Sequence, residues 1–238
     1  MMNRAALAGL LVAVLGAGSV QAANNIDMSL ILTQDDFRKL SEDLASATSY
    51  KALTPAEPLG ITGFDIGIEV TDTTLKNSAV FDTACGGCGL DHIYIPKLHL
   101  HKGLPMGFDV GLMYASDSNT NISLTGFELR YANIEGGITM PAVATRLSYS
   151  KLDGVDQLAL ESKGIDVSIS KGFAMFTPYA GVGQNWVTSS TTGLNDEEFT
   201  QTKTFIGFNL NLGLLNFDVE ADKTGEAQTI GAKVGFRF

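Results

Sequence analysis

The amino-acid sequence predicts an all-β fold, a closed antiparallel up-and-down β-barrel of about ten strands preceded by a short amphipathic helix, on three observations. Beyond Pro58 the dominant hydropathy period is two. No stretch after the first 23 residues approaches the ~20 unbroken apolar residues that a spanning helix requires. The chain is 45% hydrophobic, 18% charged and contains 26 glycines in 238 residues, too apolar for disorder and too interrupted for a helical membrane protein. Its net charge of -10, from 16 basic and 26 acidic side chains, argues against nucleic acid or an anionic membrane surface as partner.

Residues 1–22 carry Arg4, an apolar run over 5–17 and small residues ending in Val20 and Ala22. This is the layout of a secretory signal peptide cleaved after Ala22, with an uncleaved N-terminal helix as the other reading. No cysteine follows the small residues, which removes a lipoprotein anchor. Residues 23–59 form the segment ahead of the barrel, with a helix over 34–47. Thr33 is placed to cap it, Asp35 and Asp36 suit its positive end, and Phe37, Leu40 and Leu44 share a face. The apolar stripe is expected to rest at the periplasmic mouth or membrane surface; the second reading is a plug inside the barrel. Pro55 and Pro58 then break the chain.

Residues 60–238 supply ten dyad-patterned segments: 60–71, 92–102, 107–115, 122–133, 142–151, 162–171, 177–187, 202–212, 216–222 and 229–238. In the last, Ile230, Ala232, Val234, Phe236 and Phe238 alternate with a face carrying Lys233 and Arg237. That second face also collects Asp65, Glu69, Asp109, Glu128, Asp166, Asp218 and Glu220 against Lys97, Arg130 and Arg146, with His99 and His101 beside them. A soluble sandwich would bury the apolar face and expose these charges. Two features favour the inverse. Aromatic residues bracket the segments, with Tyr114, Tyr149 and Trp186 toward one end and Tyr131, Phe173, Phe176 and Phe217 toward the other. The links at 102–107, 172–177 and 212–216 are tight, whereas those at 72–91, 152–161 and 188–200 are longer and polar. An even strand count leaves both barrel ends on the short-turn side.

On these residues the chain resembles the small bacterial outer-membrane β-barrel proteins, and its terminal IGAKVGFRF, with Phe236 and Phe238, resembles the C-terminal insertion signal of such barrels. The resemblance implies a transmembrane barrel in the bacterial outer membrane, with lipid and the barrel-assembly machinery as partners. Closure should bring Asp65 and Glu69 near Lys233 and Arg237, with Asp218 and Glu220 approaching the same cations. Seven acids against five cations and two histidines suggest a lumen of ion pairs rather than a one-signed filter. Ten strands leave a narrow or occluded lumen, since ~8 are already filled by side chains.

Cys85 and Cys88, in CGGC, are expected to form a disulfide in an exported loop; zinc held with His92, or a redox pair, are the other readings. His99 and His101 have a spacing that can ligate metal but read as hydrogen-bonded lumen groups. His92 with Asp82, Asp91 and Asp117 is the cluster a rim hydrolase would use, yet no nucleophile motif accompanies it. The acidic loop 194–199 reads as solvated rather than as a cation site. No cofactor, metal or catalytic residue is assigned. The leading expectation is a non-enzymatic narrow or gated channel for small solutes. The alternative is a closed structural or adhesive barrel that binds a partner through its outer loops, and the third is an outer-membrane hydrolase.

Overall fold

The computed structural model describes residues 33–84, 86–87, 89–116, 122–155 and 158–238. The signal peptide reading, Cys85, Cys88 and Asp117 therefore lie outside the described residues. Helix α1 spans Gln34–Thr48, starting where Thr33 accepts the Asp36 backbone N–H as its cap. Strand β1 (Phe64–Thr74) follows, then a short helix α2 (Ser78–Ala84), and β2 (His92–Gly103) and β3 (Phe108–Ser116). The chain continues through β4 (Ser123–Ile134), β5 (Ala142–Asp153), β6 (Leu158–Ser170), β7 (Phe176–Thr191), β8 (Glu197–Leu212), β9 (Leu215–Thr224) and β10 (Ala227–Arg237). Each strand pairs antiparallel with its sequence neighbours, and β1 pairs with β10, closing the barrel. Every expected segment is a strand.

The dyads face as a bilayer requires. Ile66, Ile68, Leu98, Leu112, Phe127 and Ile165 point outward and are exposed, while Asp65, Glu69, Lys97, Arg130 and Lys233 are buried inside. A closed sheet is what permits this, because hydrocarbon offers no partner to an unpaired strand edge. At the end of the barrel that holds both its termini, outward rings pair as Phe64 with Phe238 and Phe108 with Tyr131, at centroid separations of 5.6 and 4.7 Å. Tyr94, Tyr114 and Trp186 stand toward the opposite end.

The link lengths differ from expectation. β7 and β8 are each 16 residues long, so most of 188–200 is strand, and β5 and β6 likewise extend into 152–161. The reason is an inversion of facing. Toward this end the inward positions become apolar (Leu152, Leu158, Leu160, Val187, Phe199) and the outward ones polar, because the inside packs on α1 rather than on charges. Among the described residues, only the link containing α2 is long.

Candidate functional site: the filled lumen

Residues 33–59 run down the inside of the barrel from the end bearing the α2 link to the end bearing the short turns. At the upper level α1 stops the mouth like a cork. Phe37, Leu40 and Leu44 pack on Leu75, Phe81, Leu152, Leu160, Val187 and Phe199 in one apolar cluster. Of the two expected placements, a mouth or membrane surface and a plug, the packing is that of a plug: the stripe of α1 lies among the inverted inward residues of the upper strands. Polar ties hold the rest. Ser41 donates to Ser189 at 2.9 Å, Ser46 donates to the Thr224 carbonyl at 2.9 Å, and Arg38 pairs with Glu197 at 3.1 Å with its guanidinium 4.2 Å over the Phe199 ring. The 194–199 segment is thus an anchor for α1, through Glu197 and the Asn195 carbonyl that Gln34 reaches at 2.9 Å, rather than a freely solvated loop. Asp43 accepts the backbone N–H of Asn77 at 2.6 Å and of Lys76 at 3.3 Å, fastening the α2 link. Burial pushes its carboxyl up, and those two backbone donors pull back.

In the middle, the Tyr50 ring stacks on His99 with centroids 5.6 Å apart, and its hydroxyl lies 3.3 Å from His101 Nε2. Two wall glycines make room for it. A Cβ on Gly111 would lie 2.7 Å from the Tyr50 hydroxyl, and one on Gly126 would lie 2.8 Å from its ring. Lys51, fully buried, pairs with Asp222 at 2.9 Å, and Lys203 donates to the Tyr50 carbonyl at 2.9 Å. Below them, Arg130 donates to the Pro55 carbonyl at 2.6 Å while gripping Asp109 at 2.8 Å, and Asp109 accepts the Leu59 N–H at 3.0 Å. The Ala56 N–H reaches Ser170 at 3.1 Å. The internal segment is therefore tied to the wall at every depth.

The wall itself is an ion-pair lattice written by the register. Lys233 bridges Asp65 (3.0 Å) and Asp218 (3.2 Å), its cross-strand partner on β9. Glu69 lies opposite Lys233 on β10 and Lys97 on β2, and it is Lys97 that it pairs with, at 2.8 Å. His99 Nδ1 lies 3.1 Å from the same carboxylate. Glu128 takes Arg146 at 3.1 Å and faces His101 at 3.4 Å, and Arg146 reaches Asp166 at 3.7 Å. Glu220 is buried among them; Arg237 is half-buried opposite Asp65. Several atoms of Glu128, Arg146 and Asp166 have no hydrogen-bond partner from the protein, a demand that buried water meets in folded chains. His101 thus meets the Tyr50 hydroxyl, whereas His99, expected to be hydrogen-bonded, lies against Glu69 and the Tyr50 ring with neither ring nitrogen in a hydrogen bond; among the described residues no group of three His, Cys, Asp or Glu is arranged to hold a metal ion.

His92 sits at the rim, half-buried, with Nδ1 2.8 Å from Asp72. Its partner is neither Asp82 nor Asp91, whose carboxylates the sequence pattern had offered. Asp82 instead accepts the Gly89 N–H at 2.6 Å. The groups that sequence reasoning missed are Tyr50, Lys51 and Asp222. The legible trace of the first was the pair of inward glycines on neighbouring strands.

No known protein family and no curated protein matches the chain. Among solved structures it is similar to the outer membrane protein OprG from Pseudomonas aeruginosa, at 10% identity over 78% of this chain and 99% of that one, with a TM-score of 0.37. KdgM porin gives 10% identity, 74% and 99% coverage and a TM-score of 0.37. Neisserial surface protein A gives 11% identity, 73% and 95% coverage and a TM-score of 0.33.

Proposed function

We propose that this chain is an integral outer-membrane barrel closed by its own N-terminal segment, acting through the surface that α1, α2 and the upper strand ends present rather than by conducting solutes. The observation that carries the reading is the continuous course of residues 49–59 down the lumen, bonded to β3, β4, β6, β8 and β9. An ion-paired lumen threaded by backbone leaves no continuous water column, and each tie adds to the work of withdrawing it. The reading is non-enzymatic, since the sequence places no nucleophile motif such as G-x-S-x-G beside the His92–Asp72 pair. It inverts the order of the sequence reading, which placed a narrow or gated channel for small solutes first.

Liposome swelling tests it. Full-length protein should admit no small sugars or amino acids, while removal of residues 24–52 should make the same vesicles leak. Permeation by the intact chain would restore the channel reading. An occluded lumen after the deletion would mean that the side-chain lattice, not the segment, closes the barrel.

A further inference from the structure

The short-turn end of the barrel is unusually apolar at its tips. Ile138, in the β4–β5 link, is 99% exposed; Met106, Leu214 and Met175, in the other three turns at this end, are 79%, 62% and 55% exposed. Water-facing turns gain nothing from such residues. The lipid belt directly above them is short. On β1 it runs from Phe64 to Val70, a rise of ~20 Å along the strand and ~15 Å along the barrel axis at ~40° tilt, against the ~25 Å belt of outer-membrane barrels.

The backbone of this end is prepared for a place where water is scarce. The link 135–141 is irregular, yet the Lys171 ammonium donates to its Gly137, Ile138 and Met140 carbonyls at 2.7, 2.7 and 3.2 Å. Lys102 does the same for Gly103 and Gly63, at 2.8 and 3.3 Å, and for Ile61. Exposed carbonyls in water need no such donors, whereas carbonyls among lipids do. Lysines with apolar stems and charged tips also suit the phosphate level.

We infer that these turn tips are a lipid-binding surface: they are immersed in the inner-leaflet ester and upper acyl region of the bilayer, continuing the apolar belt, with Lys102 and Lys171 supporting their backbone. This rests on the membrane-spanning reading of the barrel. The test keeps the two apart. Single-tryptophan variants are made on a Trp186→Phe background as Ile138→Trp, Met175→Trp and, within the belt, Ile68→Trp. Each is folded into phosphatidylethanolamine and phosphatidylglycerol vesicles with bromine placed either near the glycerol or deep in the acyl chain, and folding is checked by heat-modifiable migration. The expected result is blue-shifted emission at all three sites, with Ile138→Trp and Met175→Trp quenched best by shallow bromine and Ile68→Trp by deep bromine. Water-like, unquenched emission at both turn sites with a quenched Ile68→Trp overturns the inference and leaves the barrel reading standing. Blue-shifted but unquenched turn sites also overturn it, in favour of a protein partner or second copy. Failure of Ile68→Trp to quench refutes the membrane reading itself.

Discussion

Lys51→Ala is the sharpest perturbation of the internal segment, because it leaves the barrel wall chemically intact. Lys51 and Asp222 are 1% and 2% exposed and 2.9 Å apart. Removing the ammonium leaves the Asp222 carboxylate buried with only the Thr224 hydroxyl at 2.9 Å among its side-chain hydrogen bonds. Breaking a buried pair from one side costs about 3–5 kcal/mol. The ten-strand ladder does not depend on this contact, so the cost falls on docking of the segment rather than on the barrel. At ~1.4 kcal/mol per decade, backbone amides of residues 49–54 should exchange with solvent roughly 100- to 4,000-fold faster, while amides in β1 and β10 keep their protection. Replacing Asp222 as well, as Lys51→Ala with Asp222→Ala, should return part of the loss, since the stranded charge goes with it. Hydrogen exchange of the refolded protein in micelles reads both. Unchanged exchange in Lys51→Ala, or a double variant no better protected than the single one, would refute the view that this pair locks the segment.

Three further outcomes follow from the same geometry. Asp43→Ala should weaken the fastening of the α2 link by about 1–3 kcal/mol, seen as faster proteolysis within residues 75–91, whereas Asp43→Asn keeps an acceptor and should lose less. Because burial raises the Asp43 carboxyl, its contribution is complete below the unfolded value of ~3.9 and declines as pH rises through the folded one; the Asn variant should lack that decline. Lys39 is 41% exposed at the cork, so Lys39→Cys, with Cys85 and Cys88 replaced by Ala, should react with an impermeant maleimide on intact cells; reaction only after permeabilisation would reverse the orientation. Gly111→Leu should displace Tyr50, since even a Cβ there meets its hydroxyl at 2.7 Å, and should lower the thermal stability of the filled state while the barrel still migrates as folded.

The barrel was legible because its two physical demands write themselves as alternation: acyl chains select one face and pairing selects the other. Strand number and the charges that meet at closure, such as Asp65 with Lys233, could be read that way. The upper halves of β5 to β8 could not, because α1 reverses the facing there and Val187 or Phe199 inside replaces Val182 or Ile206 outside. Polar alternation of that kind looks like loop. The course of residues 49–59 was equally hidden. It has no period, and its partners, among them His101, Ser170 and Asp222, lie on strands far along the chain. Its trace was indirect, in a wall that keeps glycine at Gly111 and Gly126 where a barrel filled by its own side chains would carry bulk. Lys51 offered no sign at all, since a single cation after a helix is ordinarily solvated.

Nuclear Overhauser contacts in the folded protein in micelles test the filled lumen most directly. With Tyr50 stacked 5.6 Å from His99 and Leu53 against Gly231, the Tyr50 ring protons should show cross-peaks to the His99 imidazole, and the Leu53 methyls to the Gly231 α-protons. Sharp, water-exposed Tyr50 and Leu53 signals with no contact to any inward-facing strand residue would contradict it.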